Sequence, residues 1–273
     1  MDALRKSVIA GSWYPGNPSA LRRDIEKYFN SVPDTKLAGE VVAIIAPHAG
    51  YVYSGQVAAY AYKLVCGNNY DAVIVLGPSH RAAFHGVSIF SSGGYETPLG
   101  IVPVAEELAK QIKRNSKLVS DIPAAHLQEH SIEIQLPFLQ YALGNFSFVP
   151  LVMGDQSAST CQELAQAIYD SIQGMKVLIV ASSDLSHFHA YKEAINLDGV
   201  AIRHLKEGDA PGLLDSIESD NTEACGGGPM AVAILVARKF GANKAQVLKY
   251  ANSGDVTGDK SSVVGYAAAI YYK

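Results

Sequence analysis

Apolar residues along this chain gather into short unbroken runs separated by longer stretches that repeat at helical spacing. The runs at 41–46 (VVAIIA), 72–76 (AVIVL), 87–90, 146–153 (FSFVPLVM), 177–181 (VLIVA) and 263–272 are rich in β-branched residues and too short for buried helices. Between most of them, residues 55–65, 104–113, 131–141, 158–172, 190–206 and 229–240 carry apolar positions three and four apart. A strand that is apolar at every position is buried on both faces. The alternation therefore predicts an α/β fold, a mostly parallel or mixed sheet with helices on both faces. The final run, SSVVGYAAAIYYK, reads as a strand at or near a sheet edge with Tyr271 and Tyr272 on opposite faces. Residues 115–129 form the longest irregular stretch, and its length predicts a functional or partly helical segment. No repeat, low-complexity tract or long linker interrupts the pattern, so one domain over residues 1–273 is expected.

Composition narrows the class. With 48% hydrophobic and 18% charged residues the chain is an ordinary globular protein. Its net charge of −4 is spread without a basic block, which argues against a nucleic-acid partner. The N-terminus lacks a secretory apolar core, and no apolar run approaches the roughly 20 residues needed to span a bilayer. A cytoplasmic protein with no membrane partner is expected. Cys66, Cys161 and Cys225 form no CxxC pair, so free thiols are expected in place of a disulfide framework.

The histidines add chemistry to this frame. His48 follows the first apolar run by one proline, His80 follows the second through GPS, and His187 follows the fifth through SSDLS. Ligands of open α/β sheets bind outside the carboxyl ends of strands, so three distant positions converge on one rim. Each lies among small residues, which let a ligand approach the backbone. Taken singly, each is as readily a polar loop residue. Cys225 precedes three glycines and Pro229, which opens an apolar helical stretch. The positive end of a helix dipole favours a thiolate there, suiting a metal ligand or a reactive thiol. Burial as a small hydrophobe is the plain alternative, and the one expected of Cys66 and Cys161. His130 and Glu133 in EHSIEIQLPF are three apart and would share a helical face, either paired with each other or presented to a pocket. Of His85, His126, His189 and His204, His189 is best placed to line the site, and His204 reads as a helix-surface residue. Two or three imidazoles with a thiolate suit zinc, copper or iron, and no acidic cage for magnesium or calcium is evident. Neither a glycine-rich phosphate loop nor a GxSxG elbow occurs.

Six segments then carry a resemblance. AGSWYP (10–15), APHAGYVYSG (46–55), LGPSH (76–80), EHSIEIQLPF (129–138), SSDLSHF (182–188) and CGGGP (225–229) together resemble the Memo family, known in prokaryotes as AmmeMemoRadiSam system protein B. They run in order over nearly the whole chain. The resemblance implies a fold similar to that of class III extradiol ring-cleaving dioxygenases, non-haem iron enzymes with a two-histidine, one-carboxylate metal site. By that resemblance His48 and His80 match the metal histidines, and His187, oriented by Asp184, matches an acid/base histidine. His130 matches a second. Cys225 stands where the dioxygenases have glutamate, which favours copper or thiolate-ligated iron, Fe(II), over ring cleavage. Trp13 and Tyr53 match pocket positions. The implied function is a metal-dependent redox protein. The implied partners are the other components of the AmmeMemoRadiSam system, including a radical S-adenosylmethionine protein, and a small-molecule or peptide ligand. A binding module without chemistry and a metal-free thiol reagent centred on Cys225 are the competing expectations.

Overall fold

A computed structural model of the chain describes residues 4–35 and 37–273. Four parallel strands form the centre of a nine-stranded sheet, in the order Val41–Ala46, Val177–Ser182, Ala72–Pro78 and Phe148–Met153. Every residue of these four strands is buried, as their unbroken apolar runs require. Beyond Phe148–Met153 the short strand Val87–Ile89 pairs antiparallel and Val119–Ser120 follows it. On the other side Val263–Tyr272 runs antiparallel to Val41–Ala46, so the sheet is mixed.

Helices cover both faces. Gly227–Lys239 packs on the central strands with Ala158–Ser171 and Ala210–Glu218 against it, and Tyr51–Val65 covers the opposite face beside Pro18–Asn30 and Leu136–Leu143. The α/β architecture expected from the sequence is therefore the one adopted. Register places Ala46 beside Ser182, Leu76 beside Ala181 and Pro78 beside Met153. The carboxyl ends of the four central strands thus open on one edge.

Two details match expectation and one differs. The C-terminal strand lies next to the sheet edge, as expected, with Lys244–Asn252 pairing along most of its outer side. That edge strand alternates Lys244, Gln246 and Lys249 with apolar residues, and edge lysines discourage further pairing. The 131–141 helix begins late, with one 3₁₀ turn at Glu133–Gln135 before the helix Leu136–Leu143. Pro137 has no N–H to donate and fits only a first helical turn. The irregular 115–129 stretch is partly helical, as its length predicts, with the strand Val119–Ser120 followed by the helix Pro123–Leu127. A three-stranded sheet of Leu4–Arg5, Gly94–Thr97 and Gly100–Pro103 draws in the N-terminus. No helix among the described residues is long and apolar enough to cross a membrane.

Candidate functional site

His48 leaves the end of Val41–Ala46 and is almost fully buried, 2% exposed. Its backbone N–H donates to Asp184 Oδ1 at 2.7 Å, and its Nδ1 lies 3.0 Å from Ser182 Oγ. That hydroxyl donates to Ser131 O at 2.6 Å and accepts from Gln135 Nε2 at 2.7 Å. With its single proton committed, Ser182 can only accept from His48. Nδ1 therefore carries the imidazole hydrogen, and Nε2 presents its lone pair to the site. Burial, reinforced by the neighbouring His80, pushes the His48 pKa down to about 3, so the ring is neutral at pH 7.

His80, two residues beyond Ala72–Pro78, is fixed in the same sense. Its Nδ1 lies 2.9 Å from Glu129 Oε1 and its backbone N–H donates to Glu129 Oε2 at 2.6 Å. Glu129 also accepts the backbone N–H groups of His130 and Ser131 at 3.0 and 2.9 Å. Burial alone raises the Glu129 pKa, but the His80 bonds outweigh it and hold the carboxyl below its usual range. A carboxylate holding Nδ1–H leaves Nε2 free, the arrangement commonly found behind a metal-binding histidine.

Cys225 sits just before Gly226, the cap of the helix Gly227–Lys239. Its Sγ lies 3.1 Å from His48 Nε2 and accepts the Asp184 N–H at 3.3 Å. Gln156 clamps the loop, donating to Cys225 O at 2.9 Å and accepting from Gly228 N at 2.8 Å, while Ser183 Oγ accepts from Gly226 N at 2.9 Å. A Cβ on Gly226 would meet Ser182 O at 2.4 Å, so the loop reaches the strand end only as glycine. Burial first, then the Asp184 carboxylate, pushes the thiol up to about 12. Desolvation thus overrides the expected help from the helix dipole. One donor atom from each of His48, His80 and Cys225 lies within 4.8 Å of the others.

His48 and His80 line a pocket of about 480 Å³, and Cys225, against His48 Nε2, is not part of that lining. Trp13, Tyr53, His130, Asp184 and His187 also line it, with Ser12, Val52, Val264 and Tyr266. The His130 ring lies 4.6 Å from that of His80 and 4.4 Å from that of Trp13, and burial lowers its pKa. Asp184, its pKa raised by burial, bonds the His48 backbone and lines the pocket with His187, with no hydrogen bond between it and the His187 ring among the described residues.

Two expected pocket residues lie elsewhere. Glu133 is fully buried and bonds Arg5, Ser7 and Tyr14, so it makes no pair with His130. The reason is local, since His130 precedes the 3₁₀ turn and the two do not share a helical face. His189 points to Glu223, at 2.8 Å, and does not line the pocket. Other readings also change. His204 is buried between Asp209 and Ser216, and Cys66 is exposed at the end of its helix, whereas Cys161 is buried as expected. Glu129, Ser182, Gln135 and Gln156 are the supporting residues that sequence reasoning did not single out. Glu129 and Gln135 lie within EHSIEIQLPF and Ser182 opens SSDLSHF, whereas Gln156 carried no signal in sequence.

A mixed α/β sheet whose strand ends gather imidazoles and a thiol around one pocket defines the class. The model of the Memo-like protein family matches residues 5–270, and the chain belongs to that family. A MEMO1 family protein of Methanopyrus kandleri is 37% identical over 278 residues, with 98% of each chain covered. Another, of Sulfolobus acidocaldarius, is 40% identical over 277 residues, covering 96% of this chain and 97% of its own. Among solved structures, an uncharacterized protein from Escherichia coli K12 aligns with a TM-score of 0.60 at 14% identity, covering 85% of this chain and 100% of that one. That last likeness is one of fold alone.

Proposed function

We propose that this Memo-family protein is a metal-binding redox protein, similar to non-haem oxygenases, in which His48, His80 and Cys225 hold iron or copper. The observation that carries the reading is the clustering of those three donors within 4.8 Å. Both ring orientations favour it, because Ser182 and Glu129 take the Nδ1 sides. The donor set fits the group: neutral imidazoles and a soft sulfur suit copper, iron or zinc. Cys225 gives up its thiol proton on becoming a ligand, which makes affinity rise with pH.

Bound there, iron or copper supplies one-electron redox chemistry to a ligand in the pocket. The protein's own groups do the rest. His187, whose ring has no hydrogen-bond partner among the described residues, accepts or donates a proton at the pocket edge, and His130 is placed to do so beside His80. Trp13, Tyr53 and Tyr266 shape the cavity and exclude water.

A binding module using the same pocket is the second reading. It is favoured by the exposure of Val52 and Tyr53, which line the pocket. No Lys or Arg lines the pocket among the described residues, so such a partner is apolar or aromatic and not phosphorylated. The other AmmeMemoRadiSam components are the proteins to titrate. The deciding experiment is elemental analysis of untagged protein and of His48→Ala, His80→Ala and Cys225→Ser. Loss of iron or copper in each variant is expected, and unchanged stoichiometry in all three rejects the metal assignment. Tight partner binding with no oxygen consumption favours the module.

A further inference from the structure

We propose that Glu133 is a positioning residue that moors the N-terminal segment, residues 5–14, and through it the Trp13 wall of the pocket. The inference rests on the reading of that pocket as a ligand site. It goes further in assigning a buried carboxylate that touches neither ligand nor metal donor.

The hydrogen bonds are one-sided. Glu133 Oε1 accepts from Ser7 Oγ at 2.6 Å, Tyr14 Oη at 2.6 Å and Ile9 N at 3.3 Å. Its Oε2 accepts from Val8 N at 3.0 Å and from Arg5 Nη1. All five donors belong to the segment, and together they fill the carboxylate. Arg5 extends the mooring, donating Nε to His126 O at 3.0 Å and Nη2 to Glu129 O at 2.5 Å, with its guanidinium over the Tyr95 ring.

The segment has little regular structure of its own, with Arg5 ending a two-residue strand and a single bridge between Ala10 and Tyr14, while Ile9 and Tyr14 anchor it in the core. A tight turn closes it, with Trp13 N donating to Ile9 O at 2.9 Å and Gly11 at φ 84°. Its far end is the functional part. Ser12 and Trp13 line the pocket, the Trp13 ring meets His130 at 4.4 Å, and Trp13 O accepts the Tyr51 N–H at 2.8 Å.

Glu133 opens the 3₁₀ turn Glu133–Gln135, and Gln135 bonds Ser182, which fixes His48. One turn therefore references both the Trp13 wall and the metal-donor side. A buried ion pair contributes little net stability over an apolar substitute, whereas it does impose geometry, which is the use inferred here.

Trp13 is the chain's single tryptophan, so its emission reads the wall directly. The test compares wild type with Glu133→Gln and with Ser7→Ala/Tyr14→Phe, the latter removing two donors without stranding the Arg5 charge. Emission maximum, acrylamide quenching and Zn(II) titration are measured on each. Acrylamide quenching is expected to rise about twofold or more as the segment opens locally. Zn(II) affinity is expected to stay within about threefold of wild type, since the donors are not touched. If Glu133→Gln does not fold, the double variant carries the test alone. Wild-type shielding of Trp13 in a folded variant overturns the proposal, as does a Zn(II) affinity that falls in step with Trp13 exposure. Absence of Zn(II) binding in wild type would instead refute the metal reading and leave the fluorescence result to decide the mooring.

Discussion

The two sides of the pocket hold their histidines in opposite ways. On the inner side His48 and His80 follow interior strands, and each ring has its Nδ1 engaged by a buried group, Ser182 or Glu129. On the outer side His187 begins the three-residue strand His187–His189, which bulges against Val263–Tyr272. Its backbone N–H reaches Glu223 at 3.2 Å, while no partner among the described residues holds its ring. A metal donor needs a fixed lone pair, and a proton carrier needs freedom to exchange, so the difference in support matches the proposed division of roles.

Removing Glu129 tests the contrast most severely. Glu129→Ala strands the N–H groups of His80, His130 and Ser131 and frees the His80 ring. At about 1–3 kcal/mol for each buried group left unpaired, a loss of about 3 kcal/mol or more in urea unfolding is expected. Zn(II) affinity should fall about 10–100-fold with it. His187→Ala should change unfolding by less than about 0.5 kcal/mol, as for an unsupported surface group. Equal losses in the two variants would abolish the distinction.

Acid separates the sides next. The His48 pKa is pushed down to about 3, chiefly by burial, from an ordinary value near 6.5. A depressed pKa contributes stability that is complete above the unfolded value and is lost as pH falls from about 6.5 toward 3. Asp184 runs the other way: burial raises its pKa, so its contribution is present at low pH and lost as pH rises through its folded value. In chelator-treated protein, the melting temperature should drop between about pH 6.5 and 4, and drop less in His48→Gln. Parallel curves for the two proteins would show that His48 is not the buried titrating group.

Cys225 gives a smaller, local effect. With its thiol pushed up to about 12 by burial and by Asp184, iodoacetamide at about pH 8 should label exposed Cys66 and spare Cys225 in the metal-free protein. Labelling of Cys225 should grow as pH passes about 10. Peptide mapping by mass spectrometry checks this, and fast labelling of Cys225 near neutrality would revive a thiol-centred function.

How far the sequence reveals such a site depends on what each residue answers to. Val41–Ala46 and Val177–Ser182 are legible because burial on both faces demands apolar residues throughout. Lys244–Asn252 is not, since an edge strand under partial cover mixes lysines with alanines and valine. His48, His80 and Cys225 can be grouped from strand ends and a glycine-rich helix start. Their supports cannot, because Ser182 lies 134 residues from His48 and Glu129 lies 49 from His80. Glu133 misleads for a local reason: spacing of three means a shared face only inside a helix, and Pro137 delays the helix. His204 misleads because a polar residue on a helical pattern can be buried when Asp209 and Ser216 satisfy both ring nitrogens.

The mildest probe of the outer side is Phe188, between His187 and His189. It has φ 64°, a left-handed backbone that costs a residue with a Cβ about 1–2 kcal/mol. Its side chain is 76% exposed, so little packing offsets that cost. Phe188→Gly relieves the strain but gives the unfolded chain more freedom, a loss of about 0.5–1 kcal/mol. The balance predicts unfolding that is unchanged or more stable by up to about 1.5 kcal/mol, with Zn(II) affinity unaltered. Urea unfolding and metal titration check both. A clear loss of stability would mean that the Phe188 side chain packs on the fold, and a fall in metal affinity would mean that the outer strand helps hold the donors. If neither occurs, the left-handed backbone at Phe188 serves neither folding nor metal binding.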